Sequence, residues 1–155
     1  MNLKTYLETD PDNLGFAPLI ESGNDSEIAS RINALGKIKT QEISGYIPYR
    51  YLVKRLLWRP IVEVSNNPAH PVHAAATVAV DLIATGGNMP VNLADPDAAP
   101  IFAGLVAAGL LSTSHRDELI AMCTTPASYG EARGFNASIH NLDVACALGR
   151  NGFGG

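Results

Sequence analysis

Apolar residues recur at helical spacing in several blocks of this chain, and clusters of Pro, Gly, Asn and Asp separate the blocks. Leu3, Tyr6 and Leu7 share one face of a short amphipathic turn. Pro11 disfavours helix at Asp10 and Gly15 permits a positive φ, so TDPDNLGFAP is expected to end that turn. In NDSEIASRINALG, Ile28, Ile32 and Leu35 fall on one helical face. Asn24 and Glu27 have the spacing of a capping box, and Gly36 ends the helix. Residues 37–43, KIKTQEI, alternate and fit either a short strand or an extended link.

Ser44 is placed to cap a helix through IPYRYLVKRLLW, which Pro60 should break. Pro71 suits the first turn of the next helix, and Gly86-Gly87 stop it. NMPVNLADP reads as a loop. Asp95 then caps a helix that Pro96 opens, with apolar residues from Ala98 to Leu111. Ser114 and Asp117 offer a cap to a helix with Leu119, Ile120 and Met122 inward. PASYGEARGF is a short helical or irregular connection, and Leu142, Val144, Ala145 and Leu148 mark a closing helix. Strand signals are scarce. The expected fold is mainly α, a compact bundle of about six or seven short helices with extended N-terminal and C-terminal arms. Residues 1–22 would form the N-terminal arm, 23–148 the helical domain, and 149–155 a flexible Gly-rich tail.

Composition narrows the function. A chain of 155 residues suits one domain and can bury roughly 70% of its unfolded surface, so its core needs neither metal nor disulfide. Charged residues make up 17%, against a typical ~25%. Such a deficit reflects either an Ala-rich core or a surface that a partner covers. The net charge is −4 and no basic run exceeds Lys54–Arg55, so a charged nucleic-acid-binding face is not expected. MNLKTYLETD has no apolar signal core, and no long apolar run spans a membrane. A soluble chain made in a cytoplasm is the expectation. Cys123 and Cys146 are too few for a disulfide scaffold and sit in helical patterns.

Four groups of residues carry possible chemistry. Asp10, Asp12, Gly15 and Glu21 almost fit a calcium loop, but Leu14 stands where an oxygen ligand belongs and no helix signal follows Glu21. The acids are better read as turn residues whose side chains bond to the backbone, with Phe16, Leu19 and Ile20 pinning the arm. His70 and His73 are three apart, but nothing supplies a third and fourth zinc ligand. Ser112, Ser114, His115 and Asp117 contain the letters of a catalytic triad without its geometry. No metal, cofactor or catalytic residue is therefore expected. The alternative, a small metal protein or enzyme, would use His70, His73, His115 or the Asp10 loop. The fourth group is one segment in which Tyr46, Tyr49, Tyr51 and Trp58 interleave with Arg50, Lys54, Arg55 and Arg59. Its rings could be core or could stack on single-stranded nucleic acid, but the mixture suits a protein interface. Tyr46, Tyr49, Tyr51, Arg55, Trp58 and the tail residue Phe153 are the candidate partner-binding residues.

Several pieces together form a familiar layout. They are Leu105–Leu111, Ser112–Met122, Pro126-Ala127-Ser128-Tyr129-Gly130-Glu131, and Asp143-Val144-Ala145-Cys146-Ala147-Leu148. With the opening Leu3-Lys4, Asp10-Pro11, Gly15-Phe16-Ala17 and IASRINA, they cover roughly half the chain. The order resembles small virion-associated structural proteins of tailed bacteriophages. Residues 37–95 have no counterpart, and Tyr129-Gly130 stands where such proteins carry Arg-Ala. The resemblance implies a virion protein from the tail region, without catalytic residues. Its partners would be other virion proteins, in many copies related by symmetry. A capsid-surface or head–tail joining role is the alternative within that class.

Overall fold

A computed structural model describes residues 1–85, 89–135 and 138–150. In chain order its elements are α1 (Leu3–Thr9), α2 (Phe16–Glu21), α3 (Asp25–Asn33), β1 (Leu35–Thr40), β2 (Ile43–Ser44), α4 (Tyr46–Lys54), α5 (Trp58–Ser65) and α6 (His73–Val80). Then follow β3 (Pro90–Val91), α7 (Ala99–Ala107), α8 (Thr113–Met122), β4 (Thr124–Ser128), α9 (Tyr129–Ala132) and α10 (Asn141–Ala147). A π-helical turn, Asp81–Thr85, continues α6, and a 3-10 turn, Pro96–Ala98, leads into α7. The mainly α expectation holds.

The ten α-helices among the described residues exceed the expected six or seven, and the reasons are local. The helix expected through Trp58 is two helices, because Leu56 adopts a left-handed conformation with φ 60°. Pro60 does not break it. It is the third residue of α5, where its missing N–H has no helical acceptor to satisfy. Pro18 takes the same place in α2, inside the expected loop-and-arm segment. Of the ambiguous segment 37–43, residues 37–40 belong to β1, which pairs with β4, and Ile43 opens β2.

The caps follow side-chain chemistry closely. Asn24 caps α3 through the Glu27 N–H, but Glu27 turns to Arg31 at 2.9 Å and leaves the box half made. Ser112, not Ser114, caps α8, in a box with His115. Ser128 and Glu131 form a full box that starts α9. Asp95 accepts from the Asp97 N–H and opens the 3-10 turn.

The chain divides into two compact units, one of residues 40–125 and one that joins 1–39 to the segment from 126 onward. Residues 1–22 are therefore not a free arm. Tyr6, Leu7 and Phe16 are buried with Ile28, Ile32, Ile139 and Val144 in the core of the discontinuous unit. Tyr6 meets Phe16 and Phe135 edge-on, at centroid distances of 5.7 and 5.3 Å. Gly130 packs so tightly there that a Cβ would lie 2.8 Å from Cγ2 of Ile32, so alanine at 130 would not fit unaided. In the continuous unit, Leu52, Ile61, Ala76, Ala79, Phe102, Leu105 and Leu119 form the core. β2 and β3 pair antiparallel on it, Ile43 opposite Val91. The gap enclosed among these core residues is about 10 Å³, near the limit for a single water.

Candidate functional site

The DPDNLG turn spends its acids on the fold. Asp10 accepts from the N–H groups of Leu14 and Gly15, both at 2.7 Å, and of Phe16 at 3.3 Å. That matches the turn role expected of it. Asp12 does something else: its side chain is only 2% exposed and contacts side chains, not backbone. Arg133 grips it with two bonds, at 3.1 and 2.8 Å, while Lys37 lies 2.9 Å away. The Tyr6 hydroxyl donates to it at 2.9 Å. These donors, Arg133 first, hold the carboxyl well below the usual carboxylate range, against the opposing effect of burial. Burial, and then the Asp12 carboxylate, push the Tyr6 hydroxyl well above its ordinary value. Nothing in the sequence near Asp12 marks this node, because Arg133 lies 121 residues away.

The histidines are likewise committed locally. His70 Nδ1 accepts from the Val72 N–H, and His73 Nδ1 sits 3.4 Å from the Val64 carbonyl. His115 closes the α8 cap by accepting from the Ser112 N–H. Ser114 donates to Glu118. The triad letters are thus a helix start. Among the described residues no three His, Cys, Asp or Glu side chains are grouped to hold a metal ion.

The aromatic segment gives a surface. Tyr46 and Tyr49 stand 6.2 Å apart, and Tyr49 meets Trp58 edge-on at 5.3 Å. Tyr46 is exposed, whereas Tyr49 and Trp58 are half-buried against the core. Tyr51 is buried and belongs to the core, which corrects its reading as an interface residue. Its ring faces inward because α4 places it beside Leu52 on the packed side. Only its hydroxyl reaches out, donating to Glu118 at 2.8 Å. Arg55 stacks 4.0 Å above the Tyr51 ring and bonds Glu118 at 3.2 Å. The Tyr51 bond, then Arg55, lower the Glu118 carboxyl below its ordinary value. Arg55 is therefore engaged within the unit. Phe153 lies outside the described residues.

What the sequence did not flag is Leu56. Its N–H bonds the Val53 carbonyl and the Leu57 N–H bonds the Leu52 carbonyl, which is the Schellman ending of a helix. The same pair of bonds ends α2, α7, α9 and α10, with Gly23, Gly109, Gly134 and Gly149 in the left-handed position. Only α4 puts a large side chain there, and that side chain is 82% exposed. Tyr46, Ile47 and Val53 are exposed on the same helix. Val53, Leu56, Trp58, Arg59, Pro60 and Glu63 line an open groove of about 420 Å³. Among the cations here, Arg59 pairs with Glu63 at 3.0 Å, and Arg50 and Lys54 are exposed.

A second groove in the same unit has the opposite charge. It is about 430 Å³ and runs beside β3 and the 3-10 turn. Val78, Leu82 and Ile101 supply apolar lining; Glu42, Asp95 and Asp97 supply three carboxylates and no cation lines it. The two grooves share no lining residue. No helix among the described residues is long and apolar enough to cross a membrane. Compared with known proteins, the chain matches no family model, no curated sequence and no solved structure.

Proposed function

We propose that this protein is a non-enzymatic structural component of a tailed-bacteriophage virion, a tail-associated adaptor that binds neighbouring virion proteins. The observation that carries the adaptor reading is Leu56, a bulky residue in the left-handed region with its side chain in solvent. A leucine there costs backbone energy and gains no burial within its own unit. It gains burial against a partner. Val53, Trp58 and Pro60 line the same open groove as Leu56, with the Arg59–Glu63 ion pair among them, and Tyr46 and Ile47 are exposed at the far end of α4. The virion setting rests on the order of motifs at the two ends of the chain, and multiple symmetric copies would let weak contacts add up.

Quantitative mass spectrometry of purified particles tests this reading by counting the chain against the major capsid and tail-tube proteins. A fixed count at a small multiple of three or six, as closed rotational symmetry gives, supports a tail or connector adaptor. A count on the order of hundreds moves the same protein to the capsid surface, since capsids repeat their subunits that often. Absence from the particle sinks the structural reading.

A further inference from the structure

We infer that the α4–α5 face takes an extended, proline-rich segment of a partner protein, seated in an aromatic pocket beside Trp58. The inference rests on that face being a docking surface, as in the proposed function, and adds the chemistry of the occupant. Tyr46, Tyr49, Trp58, Ile83 and Ala84 line an open pocket of about 300 Å³. The Tyr46 and Tyr49 rings are inclined by 37°, and Tyr49 and Trp58 stand at 82°, so the rings wall a hollow instead of forming a flat platform. Ile83 and Ala84 come from the turn Asp81–Thr85, whose π-helical form is rare and recurs at functional sites. Trp58 also lines the groove that contains Leu56, so one extended chain can cross it from the pocket into that groove.

The polar groups select the occupant. The lining side chains carry three, the hydroxyls of Tyr46 and Tyr49 and the indole N–H of Trp58, and no carboxylate, amide or cation. The Tyr51 hydroxyl is bonded to Glu118, whereas among the described residues the side chains of Tyr46, Tyr49 and Trp58 make no hydrogen bond. All three groups can donate, and the indole N–H can do nothing else. A bound helix keeps its carbonyls for itself and would bury these donors without acceptors. A bound β-strand needs an open strand edge, and α4, α5 and the π-helical turn offer none. A polyproline II segment has no internal hydrogen bonds, so its carbonyls are free to accept, and proline brings no N–H that needs an acceptor. Its rings pack against aromatic walls. A cationic ligand is disfavoured, because no carboxylate lines the pocket and the exposed Arg50 stands one turn from Tyr46 on α4. Stacked nucleic-acid bases are disfavoured too, because rings at 82° are not successive platforms and only Tyr46 of the three is exposed.

Trp58 is the one tryptophan of the chain, so its emission reports on the pocket directly. The test titrates the purified full-length chain with decaproline, with a glycine–serine decapeptide and a thymidine decanucleotide as controls, and repeats each titration by calorimetry. Decaproline should bind saturably with a Kd below about 1 mM, and neither control should bind. Tyr46 is 54% exposed, so Tyr46→Ala should keep the wild-type circular dichroism and melting temperature while weakening decaproline at least about tenfold. Tyr46→Phe keeps the ring and loses the hydroxyl, and should weaken it about threefold. No saturable response to decaproline in either emission or heat overturns the inference. So does equal binding of the glycine–serine peptide, or binding of the oligonucleotide instead, which would assign the pocket to nucleic acid. A folded Tyr46→Ala that binds decaproline as the wild type does places the site elsewhere, and an unweakened Tyr46→Phe removes the hydrogen-bond argument for proline; either result overturns it. Absence of the chain from particles would sink the virion reading while leaving measured decaproline binding standing, and presence in particles without decaproline binding would sink this inference alone.

Discussion

Among the described residues, the buried core cluster of the discontinuous unit holds eight hydrophobic residues and that of the continuous unit fourteen. The smaller core must also hold together two stretches of chain that are far apart in sequence. Several of its side-chain bonds run between those stretches. Asp12 binds Arg133, the Asn33 amide both donates to and accepts from Ile139, and Arg150 binds Asp25 and the Ile20 carbonyl. In the continuous unit fewer side-chain bonds reach across, chiefly Tyr51 and Arg55 to Glu118 and the Cys123 thiol to Leu93 and Val91. Apolar contact is tolerant of small shifts in register, but a hydrogen bond is not. The comparison teaches that a core of few residues, closed by two distant segments, is specified by directional bonds, while the larger core is specified by packing.

If that division is right, the largest single loss should come from the apolar core. Phe102 is 4% exposed at the centre of the continuous unit. Phe102→Ala should cost about 3–5 kcal/mol, as large-to-small changes of a buried aromatic do. Amide hydrogen exchange read residue by residue is the measurement. Protection should fall across α5–α8. If instead α1 and α10 lose protection equally, the two units unfold as one and the contrast fails.

The polar counterpart is Asp12→Asn. It leaves Arg133 and Lys37, 33% and 39% exposed, without their shared carboxylate. Removing one partner of a buried pair is strongly destabilising, but here the partly exposed cations recover water, so the expected cost is about 2–3 kcal/mol. Protection should be lost first at Phe16, Ile32 and Val144. A loss under about 0.5 kcal/mol, the size of an ordinary surface change, would mean that packing alone holds this unit too.

Acid and alkali sharpen the same contrast. The Asp12 pKa is lowered in the folded state, so its stabilisation is present above the unfolded carboxylate value and drains away as pH falls below about 4. The Tyr6 pKa is raised, so its contribution is present below about 10 and is lost as pH rises beyond that. The discontinuous unit should therefore lose its amide resonances at both extremes before Phe102 and Leu119 do. In Asp12→Asn the acid step should flatten. An unchanged acid step in that variant would assign it to other carboxylates.

The sequence made much of the helical content legible because apolar periodicity and caps are local: Asn24, Asp95 and Pro96 stand where they were expected. It did not show the Asp12–Arg133 node, whose partners are brought together only by the fold. It misplaced Tyr51, because an aromatic among cations reads as a surface until α4 fixes which side is packed. The candidate site was half visible. Tyr46 and Trp58 mark its region, but Leu56 looked like one more residue of an apolar face, since a run of LLW carries no signal for a left-handed turn.

The smallest effect isolates that residue inside the continuous unit. α4 and α7 end in the same hydrogen-bond pattern, one on Leu56 and the other on Gly109. A Cβ at Gly109 would meet nothing within 4 Å, so a side chain there feels the backbone conformation and little else. Gly109→Ala should then cost about 1 kcal/mol, and Leu56→Gly should return a similar amount, because each exchanges a left-handed glycine for a left-handed side chain or the reverse. Opposite changes in urea midpoint, with equal slopes, are the expected result. If Leu56→Gly destabilises the dilute chain instead, the leucine side chain supports its own fold. The case for a docking surface at Leu56 then fails, because the strain at position 56 already has its compensation within the monomer.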